Sequence, residues 1–433
     1  MTSSVTGPAV TPPTGHSCPA DSGCPVGIPG AAFAHSAGDP RPRYAHLRGN
    51  HPVYHDDELG LWVVSRHHDI AEVLRDQHGN YTTTLSYTPV QPMAPEALAI
   101  LEQMDSSLIS SIDPPEHTRR RRALNAVWPT TVRQLAPHTP AIDAQVSRFV
   151  TALAERPART CDLVTDLARP LTSDIMADLI GIPQPDRTRI GARSGCLADL
   201  VWGQLTPTEQ QEAARALDEI WHYCNHLVDR HADRPEPDLT TAMLTHEPKD
   251  GERLTRREIA STLVDVLLSN AELTSRLIAN TVYHVLDSGT YHHLTRHPDQ
   301  IPAAVQETLR HDTPLTGWLR AATRDTQLAG TFLAAGARLL LLLGSAPHDE
   351  AHHISNPARF DHQRTDTPPT LAFGSGIHYC PGAALSLHTT TATLSALTRA
   401  MPQLTLTDDP SSQPAKWPTN LSVRSPRTLN AHW

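Results

Sequence analysis

The sequence predicts a mainly α fold, a large helical domain with a smaller β-rich region. Three observations carry that expectation. Leu254 to Leu286 places Ile259, Leu263, Leu267, Leu277 and Thr281 at helical spacing behind a Thr255–Glu258 capping box. From Val132 to about Arg234, amphipathic stretches follow one another, among them 142–154, 168–180 and 209–232. Strand-like runs are short and few. At 433 residues the chain can hold one large domain or two average ones. Residues 41–433 read as a single domain. Residues 1–40, rich in Pro, Gly, Ser and Thr, read as a disordered or loosely draped lead.

The elements follow in order. From Pro42 the chain leads into a strand pair, Val53-Tyr54 and Leu61 to Val64, around the turn His55 to Gly60. His68 to Arg75 is a short helix with Ile70, Val73 and Leu74 inward. His78 to Ile112 is Thr/Ser-rich and weakly periodic, so it reads as a long irregular loop, a feature that is usually functional inside a compact domain. In DPPEHTRRRR, Pro114-Pro115 breaks the chain and Glu116 opens a helix. His117 and Arg121 are four apart and share one face. At about 100° per residue the four arginines cannot all face one way. Arg121 takes the His117 face, and Arg119, Arg120 and Arg122 are expected outside. QETLR sets Glu307 and Arg310 three apart on a helix, and Asp312 to Leu319 reads as an extended strand. GTFLAAGARLLLLLG reads as a hairpin followed by a buried strand.

Composition excludes several classes of function. A formal charge of −10 and a pI near 6.2 argue against a nucleic-acid partner. Six sparse cysteines without metal-ligand spacing fit a reducing, cytoplasmic setting better than a disulfide scaffold. The first residues have neither a basic start nor an apolar core, so no signal peptide is read there. No apolar run approaches the roughly 18 residues that span a bilayer. His292 to His297 offers too few clustered ligands to be read as a metal site.

The densest chemistry lies in FGSGIHYCPGAAL, Phe373 to Leu385. Gly374, Gly376 and Gly382 permit positive-φ turns and close approach of a flat ligand around Cys380. Pro381 is expected at the first position of the helix that follows, so Cys380 sits near a helix N-terminus, where dipole and free N–H groups favour a thiolate. An inert buried cysteine is the competing reading. The pattern FxxGxHxCxG, with five fixed positions over ten residues, weighs against it.

That pattern resembles the haem-binding loop of cytochromes P450, and the family's other motifs follow in the right order from about Arg41 to the end. The resemblance implies a cytochrome P450 fold around one haem b, with the Cys380 thiolate on iron. Phe373, Gly374, His378 and Gly382 shape the haem loop, and His117, Arg121 and Arg320 bind the propionates. With Arg359, the Glu307–Arg310 pair resembles the family's Glu-Arg-Arg triad. The loop after His78 matches the roof of the substrate site, making Tyr81, Thr82, Leu85, Tyr87 and Met93 candidate contacts. Asn270, Leu273, Leu315, Thr316 and Trp318 are further candidates, and Asn420, Leu421 and Val423 match a final loop that points into the pocket. Trp202 and Trp221 are candidates to cover the pocket, with core packing the preferred reading for either.

The long helix departs from the family pattern AGxE/DTT. It reads Ser269-Asn270-Ala271-Glu272-Leu273-Thr274, with Asn270 at the Gly position and Leu273 at the key Thr position. Proton delivery during oxygen activation needs a positioned hydroxyl. Asn270, Glu272, Thr274 or the substrate itself can stand in. The leading reading is a monooxygenase oxidising a medium-sized organic molecule, of the kind made in secondary metabolism. Its electrons come from a ferredoxin or flavodoxin with its reductase, docking near Arg119, Arg120 and Arg122. Two alternatives stay open: atypical oxidation (aromatic or indole coupling, or peroxide-driven chemistry), and a non-catalytic haem-binding partner protein.

Overall fold

The computed structural model describes residues 38–104, 107–248, 252–407, 417 and 420–433. The expected loosely draped lead, 1–40, falls almost wholly outside them. Helices dominate, and a five-stranded sheet sits to one side in the order Val53–Asp56, Leu61–Val64, Arg338–Leu341, Trp318–Ala322, Tyr81–Thr82. The pair Leu61–Val64 and Arg338–Leu341 is parallel, and the other pairs are antiparallel. Leu339, Leu340 and Leu341 are all buried, because a central strand covered on both faces needs a continuous apolar run rather than alternation. No described helix is long and apolar enough to cross a membrane.

The long central helix runs from Arg256 to Asp287, about 48 Å at 1.5 Å per residue. Both bonds of the Thr255–Glu258 capping box form. From Ile259 to Val282 every residue is buried except Ser269, Asn270 and Leu273. Those three lie where the middle of the helix borders a cavity.

Four elements differ from the sequence reading. Arg41–Asn50 is a helix and not merely a lead to the strands. Its apolar face is thin, and Arg48 holds it down by pairing with Glu350 and bonding Ser345. The loop after His78 contains a helix, Pro95–Glu102, which starts on a proline and continues with good helix formers. The strand expected from Asp312 begins only at Trp318, because Thr316 bonds Ser422 of the C-terminal loop instead. The triad also changes. Glu307 accepts two bonds of 2.8 Å from Arg310 and one of 2.9 Å from the Asp361 N–H. The third guanidinium belongs to Arg364, 3.5 Å away and 4% exposed, and not to Arg359. Asn356 takes a positive φ of 47°, and in the turn that follows the Arg359 side chain is exposed while only its carbonyl accepts from Arg310 and Arg364.

Candidate active site

Cys380 lies where the loop after Ala372 meets the helix Ala383–Ala400. Its N–H bonds the Phe373 carbonyl at 2.9 Å, closing the turn. Gly374 and Gly376 take φ values of 71° and 70°, as their spacing predicts. Gly376 has a second reason to be glycine: a Cβ there would lie 2.4 Å from the Leu74 carbonyl oxygen. The helix starts two residues later than expected. Gly382 is its cap, so Pro381 precedes the cap instead of opening the helix. The backbone N–H groups of Gly382 and Ala383 therefore reach the Cys380 sulfur, and with Arg121 they oppose the burial that pushes its thiol upward.

The long helix faces this sulfur across a cleft. A Cβ on Gly382 would sit 3.2 Å from Asn270 Nδ2 and 3.8 Å from Cys380 Sγ, so a side chain there would block the gap. The cavity between them has a volume of about 220 Å³. Tyr87, Asn270, Leu273, Leu315 and Trp318 line it as expected. Tyr81, Thr82, Leu85, Met93, Thr316 and Leu421 do not. Tyr81 pairs with Ala322 and Thr82 with Ala321 in the sheet, Leu85 is exposed, and Thr316 and Leu421 are buried. Val423 takes the wall position of the C-terminal loop.

Trp202, whose preferred sequence reading is core packing, joins the wall with Tyr87 and Trp318. The ring centroids of these three lie 5.2 to 5.8 Å apart. Asp265 and Ser269 line the cavity too, and spacing alone held the signal: 265, 269 and 273 lie four apart on one helix face. Glu272 and Thr274 line the cavity too, but their polar groups are already bonded. Glu272 pairs with Arg276, which also bonds Ser425, and the Thr274 hydroxyl bonds Ser386 at 3.0 Å. A second cavity, of about 920 Å³, is lined by His284, His311, Asp312 and Arg424 and does not reach Cys380.

Comparison with known proteins decides the family. The Cytochrome P450 family profile matches residues 300–426, which hold Glu307, Arg310, Arg364 and the cysteine loop. Cytochrome P450 monooxygenase PikC of Streptomyces venezuelae is 31% identical over 422 residues, 93% of each chain. The chain belongs to the cytochrome P450 family. Nocardicin C N-oxygenase of Nocardia uniformis subsp. tsuyamanensis is 29% identical over 405 residues, covering 91% of this P450 and 96% of the relative. The solved structure of cytochrome P450 CREJ in complex with (4-ethylphenyl) dihydrogen phosphate superposes with a TM-score of 0.85 at 32% identity, over 91% of this chain and 97% of that one. This P450 is accordingly an oxidoreductase of the haem-thiolate class, which binds small substrates and takes electrons from a redox partner.

The residues around the cleft fit a flat ligand that carries carboxylates. The His117 and His378 rings lie 4.1 Å apart. Neither ring nitrogen of His117 has a partner among the described residues, and Nε2 of His378 has none. Burial and nearby Arg121 push His117 down to about 4. Burial, with His117, Arg320 and Arg121, pushes His378 down to about 2. Arg320 is 5% exposed and, among the described residues, its guanidinium donates only to the Leu319 carbonyl and the Ser86 hydroxyl. Arg121 donates to Asn125 and to the Tyr379 carbonyl at 2.5 Å. Two half-satisfied guanidiniums, one imidazole with no partner and one with a single unpartnered nitrogen among the described residues suit a pair of propionates.

One expectation about this rim is corrected. Arg120 does not face outward. It is 0% exposed and donates to the Ser107 carbonyl at 2.8 Å and to the Ser261 and Thr262 hydroxyls of the long helix. Arg119 pairs with Glu258, and Arg122 alone of the three is exposed. Four consecutive arginines spread around most of a helix, so one of them must meet whatever the helix packs against.

Proposed function

We propose that this cytochrome P450 holds haem b on Cys380 and oxidises a medium-sized, partly aromatic molecule of secondary metabolism. The observation that carries the reading is the Cys380 sulfur, approached by the N–H groups of Gly382 and Ala383 and faced across the cleft by Asn270. Haem bound there through a thiolate supplies dioxygen activation, the thiolate favouring O–O cleavage. The chain contributes the rest. His117, Arg121, Arg320 and His378 would hold the propionates. Phe373 and Gly374 close the cysteine loop. Leu273, Leu315, Val423 and the Tyr87–Trp202–Trp318 wall exclude water and orient an apolar substrate by ring packing.

Electrons arrive from a ferredoxin or flavodoxin at the outer side of the cysteine loop. Ile377 and Tyr379 are 51% and 48% exposed there, and exposed Arg122 lies on the same helix as Arg121. Cys161, Cys196 and Cys224 are buried free thiols, which suits a reducing cytoplasm. The test of the ligand is Cys380→Ser. The variant should lose the red-shifted Soret band of the ferrous carbonyl complex, and a band that persists would overturn the assignment.

A second reading, oxidative coupling of aromatic units or peroxide-driven oxidation, is favoured by Leu273, which puts an alkyl group where the family's hydroxyl stands. Product analysis with peroxide replacing the electron partner separates the two. Equal turnover with peroxide supports the second reading, and none supports the first.

A further inference from the structure

The cleft still has a hydroxyl, one helical turn before Leu273. Among residues 259–282 Ser269, Asn270 and Leu273 are the ones not fully buried, all three line the cleft, and Ser269 and Leu273 share a face because they are four apart. Ser269 Oγ lies 3.0 Å from Asp265 Oδ1, a further turn back on the same face. Asp265 is 3% exposed and lines the cavity. Its other oxygen, Oδ2, accepts from the Ser110 N–H at 2.8 Å and the Ser110 hydroxyl at 2.6 Å. The Ser110 hydroxyl in turn lies 2.8 Å from Tyr87 Oη. Tyr87, Ser110, Asp265 and Ser269 thus form one unbroken line of hydrogen-bonding groups in the cavity wall. The other acid and hydroxyl of the helix centre also border the cavity but are already bonded, Glu272 to Arg276 and Thr274 to Ser386.

We propose that Ser269 is the proton donor of this cleft and that Asp265 is the positioning acid behind it, an acid–hydroxyl pair displaced by one turn from the place where Leu273 stands. The proposal rests on the reading of Cys380 as haem ligand. In each transfer the Ser269 hydroxyl proton passes into the cleft while the Asp265 carboxyl proton moves to Ser269 Oγ. Asp265 is left ionised and regains its proton from water by way of the Ser110 and Tyr87 hydroxyls. Burial raises the Asp265 carboxyl, which favours its carrying a proton, against three hydrogen bonds and the nearby Arg120 guanidinium. The competing role for Asp265 is mechanical: its bonds to Ser110 tether the 109–111 turn to the long helix.

The experiment uses the full-length, haem-loaded protein and needs no substrate. Infrared spectra of protein labelled with ¹³C-aspartate should show one protonated carboxyl band that disappears in Asp265→Asn and shifts in Ser269→Ala. In parallel, NADPH oxidation is followed with an excess of spinach ferredoxin and its reductase. Ser269→Ala and Asp265→Asn should each slow it by about a hundredfold or more, the lower end of what a positioned proton donor contributes. Ser269→Thr should restore most of the rate, since it returns the hydroxyl, whereas a purely mechanical tether would leave Ser269→Ala unaffected. If Ser269→Ala and Asp265→Asn retain the wild-type rate, or if no carboxyl band responds to Ser269→Ala, the proposal is overturned. Cys380→Ser, assayed alongside by its carbonyl spectrum, reports separately on the haem ligand.

Discussion

Arg364, and not Arg359, is expected to be the arginine whose loss destabilises this P450. The perturbation is Arg364→Ala beside Arg359→Ala. The Glu307 side chain is 2% exposed, and it balances Arg310 at 1% and Arg364 at 4%. Arg364 also fastens its own loop, donating to the Ser355 carbonyl at 2.7 Å and to Asp366 at 3.0 Å. Removing one member of a buried ion network leaves charge uncompensated and costs about 3–5 kcal/mol. For 433 residues, an unfolding entropy of about 2.1 cal/mol/K per residue gives roughly 0.9 kcal/mol/K. Arg364→Ala should then lower Tm by about 3–6 °C. Arg359→Ala removes an exposed side chain and should stay within about ±0.5 kcal/mol, well under 1 °C. Differential scanning calorimetry of the two purified variants at equal haem content reads both values. The assignment fails if Arg359→Ala loses as much Tm as Arg364→Ala, or if Arg364→Ala loses less than about 1 °C.

Other outcomes can be checked alongside. Arg122→Glu should slow electron transfer from a ferredoxin at low ionic strength and leave substrate-induced spectral shifts unchanged. Arg120→Ala should instead lower stability by about 3 kcal/mol in urea unfolding, because its partners lie inside the protein. Gly376→Ala should cost at least about 1–3 kcal/mol from its positive φ alone, with contact at the Leu74 carbonyl added, and should lower haem content measured by pyridine haemochrome. Burial pushes His348 down to about 4. Its contribution is therefore fully present above the unfolded value near 6.5 and is lost as pH falls from there to about 4, roughly 1.4 kcal/mol per pH unit. His348→Gln should flatten the pH dependence of urea stability in that window, and an unchanged slope would count against a buried neutral imidazole.

Much of the fold and part of the site were legible in the sequence, wherever a feature depends on residues near one another along the chain. The Thr255–Glu258 box fixed the start of the long helix because both bonds form within one turn. The glycines before Cys380 predicted the positive-φ loop because that conformation is local. The apolar run before Gly344 predicted a buried strand, and Glu307–Arg310 formed at its three-residue spacing. Spacing fixes how residues are disposed around one helix, about 100° apart, but not how that helix is rotated against its neighbours. That rotation put Arg120 inside and left Arg122 outside, and it opened Ser269, Asn270 and Leu273 to the cleft while turning the Thr274 hydroxyl to Ser386. Nor does local pattern say which distant segments meet. Only the packed chain brought Arg364 to Glu307, Trp202 to Trp318, and Ser110 to Asp265 across 155 positions. Such contacts are selected by shape and by the cost of leaving buried polar groups unpaired, summed over the whole interior, and no short stretch of the chain carries that sum.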